Sequence, residues 1–304
     1  MMESNWRIGL PLALITAFMW ALLPIALKGL LDEISATTAT WFRFAGAAVL
    51  AGGYYQWKRR LNLRQLFQRS LLPLTLLAVA GLLTNYLSYA SGLRFITPGA
   101  AQIVIQLAPL LLLTSSVIWL GEHFSPRQWL GVLMVLVGLP LFFNQRLPEL
   151  LRGEDADYLL GLALFVLAAV GWAVYGFFQK KILSRARAQD LLVLIYIAGT
   201  LCFLPGADPL SVTGLDPVQW ALLLFLTVNT LVAYGAFTKA LGNWEASRVS
   251  ATLALVPLMT LLIGSAIGTV WPDYIEVETL NWVSWVGAGV VVCGSLFAAI
   301  GRGR

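Results

Sequence analysis

Apolar residues in this chain are gathered into ten long runs, most of them close to the ~20 residues that an α-helix needs to cross the hydrocarbon core of a bilayer. Backbone amides in lipid must find their hydrogen bonds inside the segment, so runs of this length specify helices. The spacing predicts spans at roughly 8–29, 37–57, 71–93, 98–120, 126–143, 158–179, 191–205, 218–241, 248–270 and 282–300. The N-terminal run, Ile8 to Leu27, is too long for the apolar region of a secretory signal and is read as the first span. Composition agrees with this reading. Charged residues make up 12% of the chain, about half the share found in soluble domains. The expected fold class is an all-α membrane protein.

The loops set the expected orientation. With a cytoplasmic N-terminus, 15 of the 20 basic residues fall on the cytoplasmic side, including Lys58, Arg59, Arg60, Lys180, Lys181, Arg185 and Arg187. The acids Asp208, Asp216, Asp273, Glu276 and Glu278 fall on the other side. Retention of Lys and Arg in the cytoplasm then predicts that both termini are cytoplasmic. It also accounts for the net charge of +5 without nucleic acid. Trp6, Trp57, Trp119, Trp129, Trp220, Trp271 and Trp282 lie at or near span ends, where amphipathic rings are favoured. Trp20 and Trp172 lie deep within theirs.

The two halves echo each other. Trp20-Ala21 precedes Lys28 by the same interval as Trp172-Ala173 precedes Lys180. Leu93 and Pro109 are sixteen residues apart, as are Leu241 and Pro257. Trp129-Leu130-Gly131 with Gly138 is matched by Trp285-Val286-Gly287 with Gly294. The predicted architecture is therefore ten transmembrane helices as two inverted repeats of five, residues 1–143 and 158–304, joined by a polar extracytoplasmic linker at 144–157. Five is odd, so the second copy enters the membrane from the opposite face. In such folds a site forms near the midplane, between the repeats.

These features resemble the EamA branch of the drug/metabolite transporter superfamily. The resemblance rests on the Trp-Ala helix starts, Arg43 in the second span, Tyr89 to Leu93, Pro109, and Leu120-Gly121-Glu122 ahead of Gln128-Trp129-Leu130-Gly131. The second half departs from the pattern: no Gly-Glu follows the ninth span, and Trp271 to Asn281 forms a longer acidic insert. The resemblance implies a central cavity and export of amino acids, other metabolites or toxic compounds across the cell inner membrane, with a small-molecule substrate.

Polar groups within a span are costly and face a cavity or a neighbouring helix. Asn85 and Tyr89 are four residues apart on one helical face, as are Gln102 and Gln106, while Trp172 and Tyr175 are three apart. With Trp20, Asn229 and Tyr234 these residues form the candidate substrate-binding set. The alternative role for each is interhelical hydrogen bonding or packing. Arg43 and Lys239 are expected to snorkel toward the interfaces. Gly264 and Gly268 match the small-residue motif of close helix contact, and Gly287, Gly289 and Gly294 suit helix packing better than phosphate binding. Span centres carry no Asp or Glu, and no P-loop is present. Neither a carboxylate proton relay nor ATP hydrolysis is expected, and no cofactor or metal is implied. His123 is read as a loop residue, and Cys202 and Cys293 make no disulfide or metal spacing. An intramembrane enzyme would need a clustered nucleophile, acid or metal site. A sensor or scaffold would not need the internal inversion.

Overall fold

The computed structural model describes residues 5–120, 125–244, 246–271 and 280–300. His123, Gly121, Glu122, Asp273, Glu276, Glu278, Arg302 and Arg304 lie outside the described residues. Within them the regular structure is helical: α1 (Trp6–Lys28), α2 (Ala36–Ala47), α3 (Gly53–Trp57), α4 (Leu72–Gly92), α5 (Pro98–Val104), α6 (Leu107–Leu120), α7 (Pro126–Phe142), α8 (Leu147–Arg152), α9 (Ala156–Ile182), α10 (Ala188–Phe203), α11 (Pro217–Asn243), α12 (Ala246–Leu253), α13 (Val256–Val270) and α14 (Trp282–Ile300). A π-helical turn at Ala48–Gly52 joins α2 to α3. Among the described residues six segments are long and apolar enough to cross a membrane, and three further apolar helices are shorter.

The helix ends follow from local chemistry. Ser125 and Asp216 open α7 and α11 with reciprocal capping boxes to Gln128 and Gln219. Ser35, Thr97 and Asp155 cap α2, α5 and α9 by accepting backbone N–H bonds that the first turn cannot satisfy internally. Lys28 donates from Nζ to the backbone oxygens of Leu93 and Arg94, at 2.9 and 3.1 Å, just beyond the C-terminus of α4. A cation is favoured there by the helix dipole.

Two predicted spans are not continuous. The segment at 98–120 breaks between α5 and α6, and the one at 248–270 breaks between α12 and α13. Each break lies a few residues before a proline, Pro109 or Pro257. Proline donates no i→i−4 bond and its ring crowds the carbonyl four residues back, which unwinds the helix at that point. At the first break Ala108 N–H reaches Ile105 O at 2.9 Å, a tighter bond that takes up the freed acceptor.

Large apolar side chains cover the outside of the bundle. Leu14, Phe18, Leu76, Leu133, Leu136, Val166, Leu224 and Leu262 are all exposed, which only a lipid environment makes favourable. Trp6, Trp57, Trp129, Trp271 and Trp282 are exposed at helix ends. The interior combines large side chains such as Phe44, Phe165, Leu30 and Leu82 with small ones, Ala13, Ala17, Ala21, Ala78, Ala168 and Ala169 being completely buried.

The main helix pairings are antiparallel and come in matching sets. In α4 and α9, Gly81 lies against Gly171 and Gly92 against Phe165. In α1 and α11, Gly9 lies against Trp244, and Thr16 Oγ1 donates to Ala233 O at 3.4 Å. In α7 and α14, Gly131 faces Gly294 and Gly138 faces Gly287. A Cβ built on Gly131 would lie 2.6 Å from Gly294 O, and one on Gly81 would lie 2.8 Å from Gly171 O, so these backbones touch. Gly264 differs from its expectation. The nearest atom to a Cβ placed there is Ile25 Cδ1, at 4.0 Å, which is ordinary contact and not a close helix crossing.

Candidate functional site

The helix breaks and the pairs α4/α9 and α1/α11 surround a cavity of about 700 Å³. This falls within the size range of small-molecule sites. All nine residues of the candidate set line it: Trp20, Asn85, Tyr89, Gln102, Gln106, Trp172, Tyr175, Asn229 and Tyr234. The lining continues from these to Lys180, Leu183 and Ala188, where α9 ends and α10 begins.

The walls are aromatic. Trp20 meets Tyr234 edge-on at 5.8 Å and Phe237 in a tilted contact at 5.6 Å. Tyr89 packs edge-on against Phe165 of α9 at 4.7 Å. Edge-on and tilted ring pairs at these separations contribute about 0.5–1.5 kcal/mol beyond the area they bury.

The amides divide into two groups. Asn85 Nδ2 donates to Ala168 O at 2.8 Å, tying α4 to α9. Asn229 Nδ2 donates to Met19 O at 2.6 Å, tying α11 to α1. Gln102 Nε2 donates to Trp20 O at 2.9 Å and lies 3.4 Å from Tyr89 Oη. The reason lies in α1: Pro24 is four residues after Trp20 and cannot supply the helical N–H that Trp20 O would otherwise accept. Gln102 fills that gap from α5. Gln106 is different. It sits in the break between α5 and α6, is 9% exposed, and its Nε2 has no hydrogen-bond partner among the described residues. Ser295 Oγ of α14, also in the lining, is likewise unpartnered.

Arg43 overturns its sequence expectation. It does not snorkel to the interface. It is 3% exposed and lines the cavity. Nε donates to Thr230 Oγ1 at 3.3 Å, and the guanidinium carbon lies 4.7 Å above the Tyr86 ring. The cause is the face on which Arg43 sits. Ala36, Ala39, Thr40, Phe44 and Ala47 share its buried stripe on α2. Small residues at helical spacing mark a face turned toward other helices, and this signal was available in the sequence. Tyr86, Thr230 and Ser295 are further lining residues outside the candidate set. Lys239, by contrast, is exposed, in keeping with snorkelling.

The chain is similar to known proteins. The model of the EamA-like transporter family matches the chain twice, over residues 7–144 and 159–300. The uncharacterized inner membrane transporter YhbE of Escherichia coli (strain K12) is 37% identical over 302 residues, covering 99% of this chain and 94% of that one. An uncharacterized transporter of Haemophilus influenzae is 36% identical over 99% of this chain and 97% of its own length. A probable amino-acid metabolite efflux pump of E. coli K12 is 25% identical over 74% of this chain and 77% of its own. A solved crystal structure that is 19% identical shares the fold, with a TM-score of 0.62 over 97% of this chain and 99% of that one. With a cavity between apolar-faced helices, two family matches spanning nearly the whole chain, and transporters as its relatives, the chain belongs to the EamA-like transporter family and is a transporter of the inner membrane.

Proposed function

We propose that this transporter is a secondary exporter that carries amino acids or similar small metabolites through the central cavity by alternating access. Ten helical spans form two inverted repeats of five, residues 1–143 and 158–304, with the linker 144–157 outside and both termini in the cytoplasm. The observation that carries this reading is the cavity itself: aromatic walls, unspent polar groups and two broken helices meet between the halves. Secondary transporters use discontinuous helices in this way to present polar groups near the midplane. The two family matches and the matched antiparallel pairings support the inverted repeat. In this topology the lining runs toward the cytoplasmic end, through Lys180 and Ala188, so an exporter would load from this state. Similarity to a probable amino-acid metabolite efflux pump supports the substrate class. An enzymatic role finds no support in the lining, which contains no Asp, Glu, His or Cys among the described residues.

Counterflow in liposomes, run against a panel of amino acids and other small metabolites, tests the reading. Accelerated exchange of at least one solute is expected, and it should persist without a pH gradient because the described lining residues include no carboxylate relay. Folded protein that exchanges nothing would sink the transport mechanism, and strict dependence on a proton gradient would sink the coupling. Single-cysteine labelling should reach position 304 from inside and position 155 from outside; any other pattern rules out this topology.

A further inference from the structure

Arg43 is a buried cation facing a cavity, and what surrounds it is one-sided. Among the described residues it takes part in no ion pair; the pairs present, Arg146 with Asp155 and Arg152 with Glu154, both lie in the linker. Its neighbours are hydroxyls and rings: Thr230, Tyr86 and, within electrostatic reach, Tyr89. The one hydrogen bond it donates comes from Nε, so the two Nη groups of the fork have no partner among the described residues. Among the described residues the cavity lining contains no acid. Gln106 Nε2 adds a buried donor without an acceptor among the described residues.

A buried guanidinium is costly unless it is paired and hydrogen-bonded. Here no described residue supplies a counter-charge. A planar fork with free donors matches a carboxylate, which it can hold through two parallel bonds. A solute amine meets the opposite situation: the Arg43 cation repels it, and no carboxylate side chain among the described lining residues receives it.

We propose that the cavity recognises its solute by a carboxylate held at Arg43, and that an amine on the solute is dispensable. The transported class is amphipathic organic acids, with the apolar body against Trp20, Trp172 and Tyr234. Amino acids qualify through their carboxylate alone, and cations without an acid group are rejected. This inference rests on the transport reading above, and it narrows the substrate class of the same site.

The test uses each solute that the counterflow panel finds to be carried, together with its carboxamide and its deaminated analogue. Competition against counterflow and ligand-induced thermal stabilisation are measured on the intact protein. Converting the acid to the amide should weaken binding by roughly 30-fold or more, the scale for removing one partner of a buried charge pair. Removing the amine should change binding by less than about threefold, as expected for a group with no counter-charge. Arg43→Gln should lose binding of the acid by a similar factor and also lose the preference for acid over amide. Arg43→Lys should recover part of both. The comparison of acid with amide on unaltered protein decides the matter even if Arg43→Gln folds poorly. Equal binding of acid and amide, or an amine that is required, overturns the role of Arg43 and leaves the transport mechanism standing. If no acid, amine or neutral solute is exchanged or stabilises the protein, both readings fall together.

Discussion

Two helix pairs in this molecule use the same device for different ends. In α7/α14 and in α4/α9, antiparallel helices approach until glycine meets glycine. The α7/α14 seam gives the cavity little beyond Ser295 and Ala298 at one end. The α4/α9 pair gives it Asn85, Tyr86, Tyr89, Trp172 and Tyr175. Close backbone contact therefore serves once as an anchor and once as the mounting for a wall. A wall built this way cannot be loosened without moving the groups that face the solute.

The sharpest break of that comparison is a pair of single-methyl insertions. Gly171→Ala would place a Cβ 2.7 Å from Gly81 O and 2.9 Å from Asn85 N. Gly131→Ala would place one 2.5 Å from Ala298 N and 2.6 Å from Gly294 O. Neither backbone can yield cheaply, and overpacking of this kind costs about 1–3 kcal/mol. Melting temperature in detergent should fall for both. Counterflow per folded molecule should fall only for Gly171→Ala. Equal transport defects in the two variants would mean that the seam and the wall are not functionally distinct.

Next come the groups that face the cavity without holding the scaffold. Trp172→Ala and Gln106→Ala should each lower transport severalfold while insertion and yield stay near normal. The lost aromatic contact and the lost amide are each worth about 1 kcal/mol. A fall in melting temperature with unchanged specific transport would assign both residues to packing.

Asn229 should behave in the opposite way, because its amide N–H is already spent on Met19 O. Asn229→Ala should cost about 0.6 kcal/mol of stability, the average for an interhelical hydrogen bond in one well-measured membrane protein. A loss of transport larger than the loss of folded protein would show that Asn229 also contacts solute. The smallest effect is expected from Pro24→Ala. It restores the N–H that Trp20 O lacks and competes with Gln102 for that acceptor. Melting temperature should hold or rise by a degree or two, as befits a net hydrogen-bond term of about 1 kcal/mol or less. A large fall would mean that the bend in α1, and not the freed carbonyl, is what Pro24 provides.

Much of this was legible in the sequence because the membrane makes misplacement expensive. The apolar runs mark where helices lie, and the predicted segments coincide with single helices or with helix pairs. Polar residues placed deep in such runs have to face a cavity or a neighbouring helix, and it was the family resemblance and the repeat, not spacing, that gathered Asn85, Gln102, Gln106 and Asn229 around one cavity. The paired glycines of α7 and α14 were visible as matching intervals seven residues apart. Tertiary structure decided what each group does once inside. Gln102 and Gln106 look alike in sequence, yet one donates to a carbonyl freed by Pro24 of another helix and the other donates to nothing among the described residues. Pro109 and Pro257 were plain to see, but whether a proline bends or breaks its helix depends on which neighbours satisfy the freed backbone. Gly264 carries the motif of close contact without the contact, since a small residue permits an approach that only an opposing helix can make. Arg43 is the clearest case: its depth allowed the charge to reach either the interface or the interior. The rotation of α2 that carries Ala36, Ala39, Thr40 and Ala47 inward carries Arg43 with them, and a rotation is set by the helices on either side.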